Sequence, residues 1–117
     1  MILKKGEKIH VVERRFFEGD ARRHFVGEVL ESNDTVLRAS GYVFVCDRIK
    51  NEFVRKAELR ERVISMVDAR LVINIISPET QLDKVHYVTL TEKVHNRLIV
   101  TDDSKFSLDV HEFGALR

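Results

Sequence analysis

Residues 22–47, RRHFVGEVLESNDTVLRASGYVFVCD, decide the fold. Two stretches within them, 24–30 and 35–46, are rich in β-branched and aromatic residues and flank the turn-prone cluster Ser32-Asn33-Asp34. That pattern predicts two strands joined as an antiparallel hairpin. Side chains alternate between the faces of a strand, so Phe25, Gly27 and Val29 share one face of the first. Leu37, Ala39, Val43 and Val45 share a face of the second, with Gly41 breaking the row where a bend is expected. Residues 42–46, YVFVC, are apolar at every position, which predicts cover on both faces and a central place in the sheet.

Working outward, residues 8–15, KIHVVERR, alternate imperfectly and read as a preceding strand, followed by a loop around Gly19. Residues 8–46 thus predict a three-strand meander. Downstream, Ile49, Phe53 and Ala57 recur every four residues, and Glu52/Lys56 and Glu58/Arg62 are favourable i,i+4 pairs. A short helix at 50–61 and a charged excursion between strands fit that composition equally well. From Val63 the β signal returns: 63–67 and 71–76 read as a hairpin about Asp68-Ala69-Arg70, ended by Ser77-Pro78. Strands are expected at 85–90, 97–101 and 106–110, with a loop at 93–96 and an acidic turn at Asp102-Asp103-Ser104. In the last strand Phe106, Leu108 and Val110 point inward.

The expectation is an all-β chain of about 7–8 short strands, a small twisted or barrel-like antiparallel sheet. It forms one domain over residues 1–117, with a barrel-like core at 8–76 and additional strands at 78–113. The 117 residues are 44% hydrophobic and 33% charged, a mixture that folds rather than staying disordered. A net charge of +1 lacks the clear basic excess of a protein built mainly for nucleic acid. The single cysteine, Cys46, excludes an intrachain disulfide. No signal peptide follows Met1, and no stretch reaches the roughly 20 apolar residues that span a bilayer. A cytoplasmic protein with no membrane partner is the expectation.

Arg14-Arg15 and Arg22-Arg23 flank the Gly19 loop, and pairing of the strands on either side brings the two pairs close. Facing like charges need compensation. Either Glu13, Glu18 and Asp20 supply it, or a bound anion does, since guanidinium forks grip phosphate oxygens in pairs. Phe16 and Phe17 beside them could stack on bases, or fill the core and a subunit contact. The histidines His10, His24, His86, His95 and His111 show no metal-ligand spacing, although Asp109 and His111 share a strand face with Glu112 adjacent. No metal or cofactor is expected. Cys46 suits a small buried thiol better than a nucleophile, and no phosphate-cradling or nucleophile-elbow motif occurs.

Residues 25–29, FVGEV, the polar turn at Asn33-Asp34 and the apolar strand from Thr35 resemble the first motif of the Sm-like family of small β barrels. The hairpin at 63–76 sits where that family carries its second motif. The resemblance covers residues 8–76 and implies a bent five-stranded barrel, ring assembly through strand edges, and RNA held at the ring pore. Leu37 falls near the position of the family's RNA-contacting asparagine, and Arg70 is followed by Leu71 rather than glycine, so no RNA-site residue carries over. The reading is a non-catalytic homo-oligomer acting by self-assembly or by binding an anionic ligand or RNA. Its rival is a small-molecule carrier or small enzyme with an interior cavity, into which Cys46, His24 or His10 would point.

Overall fold

In the computed structural model, which describes residues 2–17, 19–91 and 96–110, the chain is all-β with two antiparallel sheets. The described strands are β1 (Lys8–Glu13), β2 (Arg23–Ser32), β3 (Val36–Asp47), β4 (Glu52–Arg55), β5 (Arg60–Ser65) and β6 (Leu71–Ile76). After a single 3-10 turn at Leu82–Lys84 come β7 (His86–Thr91), β8 (Asn96–Thr101) and β9 (Ser107–Asp109). The larger sheet runs β4-β3-β2-β1-β6, with β5 also pairing β3; the smaller runs β7-β8-β9.

The meander forms as the sequence predicts. Asn33 closes the β2–β3 turn, its Oδ1 accepting from the Thr35 and Val36 N–H groups at 2.9 and 3.0 Å. β3 is the longest strand and both its faces are covered. Leu37, Ala39 and Val43 enter one core with Ile9, Val11, Phe25 and Val29. Phe44 and Tyr42 enter a second, between the sheets, with Val26, Val85, Val100 and Val110. Gly27 on β2 and Gly41 on β3 lie directly opposite each other. A Cβ on Gly41 would stand 2.1 Å from the Val26 carbonyl oxygen, so only glycine allows this approach.

Three expectations are corrected. The helix at 50–61 does not form: the Asp47 carboxylate accepts from the Ile49 and Lys50 N–H groups, and Asn51 takes a left-handed φ of 53°. That turns the chain back into β4, where Phe53 lies opposite Cys46 and reaches the inter-sheet core, a burial no helix on the surface would provide. Residues 63–67 and 71–76 do not pair with each other. β5 continues the ladder on the first half of β3 (Val36↔Ser65 to Gly41↔Arg60), while β6 lies on the far side of β1 (His10↔Asn74). Nor is there a single curled sheet: the strands divide into two sheets, and the larger, which does not close as a barrel, ends in the edges β4, β5 and β6.

The smaller sheet packs over the β1–β3 face that carries His10, His24 and Phe44. The acidic turn at its tip holds it in shape. Asp102 is buried, and its carboxylate accepts from the N–H groups of Ser104 (2.8 Å), Phe106 (3.0 Å) and Gln81 (2.8 Å). Burial works to raise this carboxyl, but the backbone donors outweigh it and hold it below its ordinary range. The loop expected at 93–96 and the Asp109/His111/Glu112 grouping fall largely outside the described residues, as do His95 and Glu18. Among the described residues no helix is long and apolar enough to cross a membrane.

Candidate functional site

Arginines gather at one end of the larger sheet because of strand register. Glu13 on β1 lies opposite Arg23 on β2 and Leu71 on β6, and the Arg14 N–H donates to the Arg70 carbonyl at 2.7 Å. Three strand ends thus deliver Arg14, Arg23 and Arg70 to one place, and the β1–β2 loop adds Arg15 and Asp20. These residues, with Glu13 and Ala21, line a polar cleft of about 230 Å³. Asp20 folds the loop, its Oδ2 accepting from the Phe16 and Phe17 N–H groups at 3.3 and 3.2 Å. Arg14 donates to the Ala69 carbonyl at 3.0 Å, tying the cleft to the β5–β6 turn. Arg70 bonds the Asp68 carboxylate at 3.0 Å, which raises Arg70 and lowers Asp68 from their ordinary values. Four guanidinium groups line the cleft with the carboxylates of Glu13 and Asp20, and Asp68 pairs with Arg70 beside it.

Phe16 and Phe17 are both exposed, at 68% and 73%. Neither fills the core, and the Arg70 guanidinium lies 5.6 Å from the Phe16 ring centre. Arg22 goes elsewhere. It is not among the cleft's lining residues, and its guanidinium sits 5.5 Å from the Phe53 ring centre and 3.7 Å from the Cys46 Sγ. The structure thus brings together Arg14, Arg15 and Arg23 of the four arginines marked in the sequence and substitutes Arg70 for Arg22. Arg70 was legible only as a turn residue, since its place depends on β6 pairing with β1.

A second polar group lies between the sheets. His10 and His24 are buried, and both face the Tyr87 hydroxyl: His10 Nε2 at 3.0 Å and His24 Nδ1 at 2.5 Å. A phenol has one proton to give and lone pairs to receive, so one imidazole is the donor and the other the acceptor. Phe53 stacks on Tyr87 at 4.5 Å, Phe44 packs on its edge at 5.1 Å, and the two imidazoles meet edge to face at 5.2 Å. Burial lowers His10 to about 4; burial, then His10 and Arg22, lowers His24 to about 3. Burial also raises Tyr87 well above its ordinary value, so all three are neutral near pH 7. Both histidines point inward, as the cavity reading required. Their shared partner is a protein hydroxyl enclosed by aromatic rings, which makes this group a neutral structural peg between the layers.

Comparison of the chain with models of known protein families, with curated proteins and with solved structures found no match.

Proposed function

We propose that this protein acts without catalysis, by self-association through its open sheet edges and by holding an anionic ligand in the arginine cleft. The observation that carries the binding half is the convergence of Arg14, Arg15, Arg23 and Arg70 beside two exposed phenylalanines. Guanidinium forks suit phosphate oxygens, and exposed rings suit bases, so single-stranded RNA is the ligand class to try first. The Sm-like reading belongs to the same proposal. A sheet that ends in the open edges β4, β5 and β6 offers the edges through which such assemblies grow. The core between β1, β2, β3 and β5 packs Ile9, Val11, Phe25, Leu37 and Ile64. An open pocket of about 190 Å³ beside it, lined by Val11, Phe25, Val43 and Ile64 with Glu13, Arg23, Arg62 and Asp68, is where the rival small-molecule reading would seat its ligand.

The test is a titration of labelled single-stranded RNA at several salt concentrations. Binding should weaken steeply with salt, because phosphate contacts release counterions. The double variant Arg15→Ala/Arg23→Ala should lose about tenfold or more in affinity with little change in melting temperature, whereas Arg22→Ala should bind as the parent does. No binding at low salt would dispose of the nucleic-acid reading.

A further inference from the structure

The three edges of the larger sheet are not equivalent. β4 carries Glu52 and Arg55, and β5 carries Arg60, Glu61 and Arg62. Charges of this kind keep a sheet edge from pairing with another chain. β6, LVINII, has none. Its backbone direction follows from two hydrogen bonds: Arg14 N–H to the Arg70 carbonyl on the β6 side of β1, and Val29 N–H to the Glu7 carbonyl on the β2 side. Residues of an antiparallel pair alternate between exchanging both bonds and exchanging none. Val72, Asn74 and Ile76 therefore bond to β1, while the N–H and C=O groups of Ile73 and Ile75 point out from the free edge.

Two side-chain observations mark the same edge. Asn74 Nδ2 and, on its directly paired neighbour His10, Nδ1 are buried with no hydrogen-bond partner among the described residues. On the other face Ile75 is 53% exposed, and with Ile73, Ile2, Leu3 and Met66 it lines the apolar side of an open depression of about 490 Å³ whose rim also carries Asn33 and Asp34.

We infer that β6 pairs antiparallel with β6 of a second copy about a two-fold axis through Asn74. Ile73 then faces the partner's Ile75, and Ile75 the partner's Ile73. All four outward backbone groups of each copy's Ile73 and Ile75 are satisfied, and two Ile–Ile pairs cover the apolar side of the depression. On the opposite face the two Asn74 residues stand directly opposed across the axis. Such a contact is isologous and closes at two copies, unlike a ring built from β5 on β6. This assignment rests on the self-association reading above and specifies which edge does it.

The test is made on the whole chain. Light scattering of the parent at about 100 µM should give twice the protomer mass, and Ile75→Lys should return it to the protomer mass through at least a tenfold weaker dissociation constant. In a Cys46→Ala background, Asn74→Cys should crosslink to a dimer under mild oxidation, because directly opposed non-bonded positions bring the Cα atoms to about 4.5 Å. Ile75→Cys, offset from its own copy, should not. A monomeric parent overturns both this assignment and the self-association reading. An oligomer that ignores Ile75→Lys and leaves Asn74→Cys uncrosslinked, or one larger than a dimer, overturns the β6 pairing alone.

Discussion

Mild acid should destabilise this protein well before its carboxylates titrate, because of His10 and His24. Their folded-state values, about 4 and about 3, lie below the ordinary imidazole value of 6.5. The unfolded chain therefore takes up protons first as pH falls. The stability contributed by keeping both rings neutral is fully present above about pH 7.5 and is lost as pH drops through 6.5 toward the folded values. At about pH 5 both native rings are still neutral while the unfolded ones are mostly charged, so each costs about 2 kcal/mol and the pair about 4 kcal/mol. The figure depends on the unfolded value alone as long as the native rings stay neutral at that pH. It is a large share of the roughly 5–15 kcal/mol that holds a domain together.

The assay is urea unfolding followed by far-ultraviolet circular dichroism at about pH 8 and pH 5, where the midpoint should fall by about 2–3 M. His10→Gln with His24→Asn keeps a polar amide near Nε2 and Nδ1 but cannot titrate. In that double variant the pH dependence should largely vanish. Asp68 and Asp102, both held below their ordinary 3.8, lose their contribution only at lower pH and do not confuse the window. A parent midpoint that is flat between the two pH values, or a double variant with the parent's slope, would refute the reasoning.

Two further outcomes follow from the packing. Tyr87→Phe keeps the stacked ring but strands His10 Nε2 and His24 Nδ1 in a dry layer, and should cost about 2–4 kcal/mol in a denaturant titration. Gly41→Ala forces a Cβ against the Val26 carbonyl; about 3 kcal/mol or more should be lost, read as a lower thermal midpoint.

Much of the larger sheet could be read from local pattern. The period-two alternation of 8–46, the Asn33 turn and the doubly covered 42–46 segment are properties of neighbouring residues, and each stands as read. The inward row Phe106, Leu108, Val110 also joins the inter-sheet core. The 48–62 stretch misled because i,i+4 spacing scores a helix without asking where Phe53 can be buried. Its place opposite Cys46 and under Tyr87 is set by a strand that begins elsewhere in the chain.

Along the chain, then, the residues determined which segments are extended, where they turn and which side chains face together, since those follow from backbone geometry over a few positions. Partner choice was decided only in three dimensions. β5 leaves its sequence neighbour for β3, and β6 crosses to β1, because each must bury its apolar face and bond its backbone on whatever edge the rest of the sheet leaves open. Arg70 reaches the arginine cleft, and Tyr87 reaches two histidines 63 and 77 residues away, for the same reason. Their meeting depends on long-range register, which no local pattern encodes.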